Sequence, residues 1–363
     1  MSQKAPKGTI AIEEAFLDPP GVSWMAQFAT LFNPALDPSK PSNHGYTPAL
    51  LDIHETRLAK MDANGVEYML LSLTSPGAQG EHDPVEAQKI AVNANNWLAE
   101  QVSKNPARFG GFASVSMHDA AEAAAEARRV VKELGFFGIM LNDYQVTTPG
   151  GEGKKYYDAA EYRPFWKEIA ELDVPVYLHP RYPPAKDLEE GTKYGDRKHL
   201  LGAAMQFHLD LSMHIYALCS SGIFDLYPNL QIVAGHLGEN IPLNLWRADH
   251  WYNKPVKKAT RPSKEDYSYY FKHNVSITTS GNFSTQGLKF CINEIGVDRC
   301  LYSIAHTTYI SQGAIYANKL ADYPYDTIEE AQTWWKGVDL PEDQKEAVAR
   351  GNAIKLFKLP LDL

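Results

Sequence analysis

The chain has 363 residues, with 35 lysines and arginines against 44 aspartates and glutamates, a net charge of −9. That acidic balance argues against a nucleic-acid binder, which carries a basic patch. With 44% hydrophobic and 22% charged residues the composition is globular rather than disordered. No run of about 20 apolar residues offers a membrane span, and residues Met1–Gly8 lack the apolar core of a secretory signal. The three cysteines, Cys219, Cys291 and Cys300, lack metal-type spacing and are odd in number. Buried free thiols in a reducing, cytoplasmic compartment are the expectation.

Short apolar runs alternate with segments of helical spacing. Eight runs read as strands: Thr9–Ile12, Val66–Leu73, Phe109–Ser114, Phe137–Leu141, Val174–Leu178, Leu230–Ala234, Asn274–Thr278 and Arg299–Ile304. Pro84–Asn105 and Asp119–Leu134 are the clearest helical patterns between them, the second rich in Ala, Glu and Arg. Strand followed by helix, repeated through the chain, predicts an α/β protein. A single-domain (β/α)8 TIM barrel over residues 1–363 fits better than an open sheet. Two segments look like insertions, Gly21–Leu50 after strand one and about Thr307–Pro341 after strand eight. The second gathers Tyr309, Tyr316, Tyr323, Tyr325, Trp334 and Trp335. Such a segment forms either a lid or subunit contact, or a small apolar cluster of its own.

In this fold the chemistry sits where strands end at the C-terminal face. Strand one runs into Glu13-Glu14-Ala15-Phe16. Strict alternation puts Ala11, Glu13 and Ala15 toward the barrel interior and Ile10 and Ile12 toward the helices. A carboxylate at the inner rim needs a cation or a metal as partner, unless the two glutamates are simply solvated. Strand four ends in Asn142-Asp143, strand five in His179-Pro180-Arg181, and strand six in Gly235-His236-Leu237-Gly238-Glu239. A lone histidine is more often structural than a ligand. Two histidines and a glutamate at one rim point to function. His208, His214 and His250 fall on helical patterns, where packing is the expectation. Strand seven ends in Thr279-Ser280-Gly281-Asn282-Phe283-Ser284, a hydroxyl-rich turn that either binds polar ligand groups or caps the next helix.

These motifs resemble the decarboxylase branch of the amidohydrolase superfamily, which acts on 2,3-dihydroxybenzoate, γ-resorcylate, salicylate and 5-carboxyvanillate. The likeness runs from Ile10–Phe16 through Leu73–Gln79, Leu141–Asp143, Leu172–Arg181, Gly235–Pro242, Trp246-Arg247 and Thr278–Thr285 to Asn352–Leu359. The resemblance implies a barrel holding one divalent metal, zinc, manganese or magnesium, on Glu13, His179 and a strand-eight aspartate. It implies His236 as a catalytic or substrate-orienting group, with Glu239 behind it. A small aromatic acid is the implied substrate, and a homodimer or homotetramer the implied assembly. Arg247 is a candidate for holding a carboxylate or phenolate, or else it pairs with Asp249. Asn142, His306, Phe283 and Tyr309 are candidates for substrate contact, the two aromatics for ring stacking or for core packing.

The departure is at strand eight, Tyr302-Ser303-Ile304-Ala305-His306. Ala305 falls on the position of the family's aspartate, which is both metal ligand and proton donor. Alanine can be neither, so metal occupancy is in doubt and the protein's ligands fall to Glu13 and His179. Strand alternation points His306 the other way unless the chain turns. Either an aspartate was replaced by design, or this is a divergent member; the changed neighbours His306-Thr307-Thr308 favour divergence. Non-oxidative decarboxylation of a phenolic acid is therefore the leading reading. Hydrolysis, dehydration or isomerisation of a polyketide-like phenol on an altered site stands beside it, because fold does not fix function.

Overall fold

The computed structural model describes residues 7–24, 46–304 and 323–363. Eight parallel strands follow one another in chain order around one sheet. They are β1 (Thr9–Phe16), β2 (Val66–Leu73), β3 (Phe109–Ala113), β4 (Gly138–Asn142), β5 (Val176–His179), β6 (Ile232–Ala234), β7 (Val275–Thr278) and β8 (Cys300–Leu301). The principal helices between and after them are α1 (Thr56–Asn64), α2 (Pro84–Lys104), α3 (Ala120–Glu133), α4 (Arg163–Leu172), α5 (Gln206–Ser220), α6 (Ile241–Tyr252), α7 (Thr285–Ile295) and α8 (Asn352–Phe357). This is the expected TIM-type barrel. α2 and α3 start where the sequence signals: Asp83 accepts from the N–H groups of Val85 and Glu86, and Asp119 from those of Ala121 and Glu122.

Two apolar layers hold the barrel. An inner one takes Ile10 and Ile12, Tyr68 and Leu70, Phe112, Met140, Tyr177, Val233 and Leu301 from the strands, with Phe357 and Leu359 from the chain's end. An outer one packs Ala11, Met69, Leu71, Ile139, Leu178 and Ile277 against helical residues such as Leu98, Ile169 and Leu218. The strict alternation expected for β1 is therefore inverted at its start: Ile10 and Ile12 face inward and Ala11 faces the helices. The strand is also longer than Thr9–Ile12, so Glu13 and Glu14 lie within it.

β8 is shorter than expected, only Cys300–Leu301 being laddered to β7. Beyond it, side chains take over. Ser303 Oγ accepts the N–H of Ile12 at 3.1 Å, spanning the seam between the last strand and the first. Thr279 Oγ1 donates to the Ser303 carbonyl at 2.9 Å and accepts its N–H at 3.0 Å. The described part of the second expected insertion begins with the helix Tyr323–Lys336. Ile328, Ala331 and Trp335 are buried there, and Trp335 packs on Tyr302.

Candidate active site

Glu13 owes its position to a β-bulge. Ala11 pairs with Met69 and Glu14 with Leu71, so three steps on β1 match two on β2. The extra residue breaks the alternation and turns Glu13 inward directly after Ile12. His179 is the last residue of β5, in register with Asn142 at the end of β4. His236 lies two positions beyond the end of β6, with Gly235 between.

The chain around His236 is unusual. His236, Leu237, Gly238, Glu239 and Asn240 have φ of 54°, 58°, 75°, 53° and 62°, a single left-handed turn. Left-handed geometry costs an L-residue about 1–2 kcal/mol, so the surroundings must hold it. Ser280 Oγ accepts the His236 N–H at 3.3 Å, Asn282 Nδ2 donates to the His236 carbonyl at 3.3 Å, and buried Pro242 begins the right-handed α6. The turn brings His236 Nδ1 to 2.6 Å from Glu239 Oε1.

These elements converge on Glu13. His179 Nε2 is 3.5 Å and His236 Nε2 3.4 Å from its Oε1, and the two imidazole centroids are 6.2 Å apart. Both distances lie at the outer limit of hydrogen bonding, and Oε1 is buried with no hydrogen-bond partner. On the other oxygen, Oε2, Ser280 Oγ donates at 2.7 Å and the Tyr177 hydroxyl also donates. Burial pushes the Glu13 carboxyl up, but His236 and His179 outweigh it and hold it at about 2. Burial disfavours charge on His236, but Glu239 and Glu13 raise it well above the usual histidine range.

The bare, ionised Oε1 faced by two imidazole nitrogens fits a cation better than an apolar neighbour. Among the described residues, however, no set of three His, Cys, Asp or Glu side chains is arranged to enclose a metal ion. Among the described residues the candidates to face a cation are Glu13, His179 and His236, with both imidazole Nε2 atoms within 3.5 Å of Glu13 Oε1. A cavity of about 270 Å³ opens beside this cluster, lined by Phe207, His208, His236, Glu239, Asn240 and Asn282 among others.

Other expected residues fall differently. Asn142 is buried; its Nδ2 donates to the Pro76 carbonyl at 3.0 Å and to Gln79 Oε1 at 3.1 Å, while its Oδ1 has no partner. Arg247 is exposed on α6, with neither hydrogen bond nor ion pair among the described residues. Its expected role inside its own chain's site is not supported by that place. Its alternative partner Asp249 instead caps the helix Tyr267–His273, accepting from Tyr267 N–H at 2.8 Å. Phe283 is partly buried and packs on Trp334, the ring centroids 5.4 Å apart. Ala305, His306 and Tyr309 lie outside the described residues. His214 is structural, its Nδ1 3.0 Å from Asp143 Oδ1. His208, expected to be packing, instead lines the cavity with His236. The sequence reading missed Tyr177 altogether; its only signal was a polar tip on an inward strand position. Of the two readings of the hydroxyl-rich turn, the cap is what the structure shows, Ser284 accepting the Gly287 N–H at the start of α7, while Ser280 bonds to Glu13 of the protein itself.

The fold is a (β/α)8 barrel of the kind that enzymes use, with Glu13, His179 and His236 gathered at the rim by β1, β5 and β6. The family model described as amidohydrolase matches residues 47–359. A γ-resorcylate decarboxylase from a Rhizobium species is 39% identical over 97% of this chain and 99% of its own. The crystal structure of a dihydroxybenzoic acid decarboxylase from a Polaromonas species, with bound manganese and the inhibitor 2-nitroresorcinol, superposes with a TM-score of 0.82 at 38% identity, covering 98% of each chain. A 5-carboxyvanillate decarboxylase from Novosphingobium aromaticivorans, also with manganese, superposes at 0.83 with 31% identity over 98% of this chain and 97% of its own. The chain belongs to the amidohydrolase family, in its phenolic-acid decarboxylase branch.

Proposed function

We infer that this protein is a carboxy-lyase that removes carbon dioxide non-oxidatively from a hydroxybenzoic acid. The observation that carries the reading is the convergence of Glu13, His179 and His236 within 3.5 Å contacts at the barrel rim, in a chain 39% identical to a γ-resorcylate decarboxylase. Glu13 Oε1 and His179 Nε2 would hold a divalent cation, manganese by analogy with the relatives. When bound, such an ion supplies positive charge to a phenolate and its neighbouring carboxylate. Lacking an aspartate at position 305, the pair is expected to bind it more weakly than relatives do.

The chain's own residues account for the rest. His236 is the proton carrier of this reading. Glu239 fixes its ring through Nδ1 and leaves Nε2 facing the cluster. A proton delivered to the ring carbon that bears the carboxylate breaks aromaticity. The C–C bond then cleaves, carbon dioxide leaves, and its bonding electrons restore the aromatic ring. One proton is taken up and one carbon dioxide is released per turnover. Asn142 Oδ1, unpartnered and in register with His179, accepts from a phenolic hydroxyl.

The protein also self-associates in this reading, as a homodimer or homotetramer. Leu243 and Trp246, one turn apart on α6, are 69% and 74% exposed, with Arg247 beside them. An aromatic and an arginine on one apolar face have interface composition. A reducing, cytoplasmic compartment suits the three buried free thiols. Among the described residues no helix is long and apolar enough to cross a membrane.

The test is carbon dioxide release and phenol formation from a panel of mono- and dihydroxybenzoates, with and without manganese. Decarboxylation of at least one, lost in Glu13→Gln, is the expected result. A panel with no turnover, alongside hydrolysis or dehydration of a related phenol, would replace this reading with the alternative chemistry.

A further inference from the structure

We infer that Tyr177 and Ser280 are positioning residues that saturate one oxygen of Glu13, so that only Oε1 is offered to a cation. The inference rests on the reading of Glu13 and His179 as the metal-holding pair.

Ser280 Oγ donates to Glu13 Oε2 at 2.7 Å, and the Tyr177 hydroxyl donates to the same oxygen. Behind them Thr278 Oγ1 stands 2.6 Å from Ser280 Oγ and 3.0 Å from the Tyr177 hydroxyl. Tyr177, Thr278 and Ser280 are each 0% exposed, so no water competes for these protons. Oε1 is faced only by the His179 and His236 imidazoles, at 3.5 and 3.4 Å, and has no closer donor. One side of the carboxylate is thus tied to β5 and β7, and the other points at His179 and His236.

Gly235 makes room for the arrangement. A Cβ there would stand 2.9 Å from Glu13 Oε2, 2.9 Å from the Tyr177 hydroxyl and 3.1 Å from Ser280 Oγ. Its φ is not left-handed. The need for glycine at this point is therefore space for three oxygens, not backbone freedom.

The chemical consequence is direct. A carboxylate with both oxygens bare can swing or chelate through both. With Oε2 saturated, Glu13 binds through one oxygen in one orientation, and its rotation is already restricted before the ion arrives. Hydrogen-bond partners behind a metal ligand commonly control about 10–100-fold in metal affinity. With Glu13 and His179 as the proposed pair among the described residues, that contribution is a large part of the total.

The experiment uses the full-length protein, stripped with a chelator and titrated with Mn2+, the free ion being followed by electron paramagnetic resonance. Tyr177→Phe and Ser280→Ala are each expected to weaken Mn2+ binding about 10–100-fold. Gly235→Ala, which displaces the same oxygens without removing a polar group, is expected to act in the same direction. Thermal unfolding of the metal-free variants separates a merely structural effect, which would lower the melting temperature without moving the Mn2+ dissociation constant. A saturable site that Glu13→Gln abolishes, but that Tyr177→Phe and Ser280→Ala leave at unmodified affinity, overturns the positioning role alone. A protein with no saturable Mn2+ site sensitive to Glu13→Gln overturns the metal pair and this inference with it.

Discussion

His236 Nδ1 lies 2.6 Å from Glu239 Oε1 across one left-handed turn. In a right-handed helix, residues three apart share a face. Here the mirror-image turn achieves a similar pairing between a strand end and α6. The pairing leaves Nε2 directed at Glu13. Replacing Glu239 by Gln preserves shape and removes the charge that orients and protonates the ring. Decarboxylation is expected to fall about 10–100-fold, as for other groups acting through a neighbour, with Mn2+ affinity nearly unchanged. Steady-state kinetics beside a metal titration checks it. An equal loss in both would assign Glu239 to the metal site instead.

The left-handed turn depends on Gly238. Its φ is 75°, and a Cβ there would meet Ile277 Cγ2 at 2.8 Å and Pro242 at 3.0–3.1 Å. Gly238→Ala therefore combines backbone strain with overpacking and is expected to cost about 1–3 kcal/mol of stability. Urea unfolding measures it, and a cost within error of zero would mean that the turn relaxes freely.

Position 305 carries the sharpest functional test. Ala305→Asp adds a carboxylate at the position where the family resemblance implies a metal ligand and proton donor. If the alanine disables decarboxylation, the variant should gain about 10²–10⁴ in rate, the usual worth of a positioned acid or base. Efficient turnover by the unmodified chain, with Ala305→Asp neutral or harmful, makes the alanine part of a working site. His236→Ala and His306→Ala in the same assay then show which ring carries the proton.

The three thiols supply a stability prediction. Burial pushes Cys291 up to about 12 and raises Cys219 and Cys300 as well. An unfolded thiol ionises near 8.5. Above that pH the unfolded chain has released protons that the folded chain retains, so these groups lower stability as pH rises toward 12 and contribute nothing below 8. Native protein at pH 8 should be inert to a thiol reagent, with three groups reacting per chain in denaturant. Prompt labelling of the native protein would contradict their burial.

Trp246→Glu tests the exposed face of α6. A charge on a side chain 74% exposed costs an isolated chain little, whereas at the centre of an apolar interface it is strongly destabilising. The mass in light scattering should fall toward that of one chain, with the melting temperature of that chain preserved. An unchanged assembly would place the interface elsewhere.

The sequence alone determined the order of eight strands, the two clearest helices, and the rim positions of His179 and His236. Periodicity and capping are local properties, and parallel strands joined by helices leave few topologies open. Motif likeness carried the family. Tertiary structure decided what depends on distant residues. The bulge that turns Glu13 inward is set by register against β2, and alternation along β1 alone predicts the wrong face for Ile10, Ala11 and Ile12. Tyr177 and Ser280 meet Glu13 from more than 160 positions away, so no local pattern marks them. Arg247 carries a charge and a motif, but only the packing of α6 decides that its side chain faces outward.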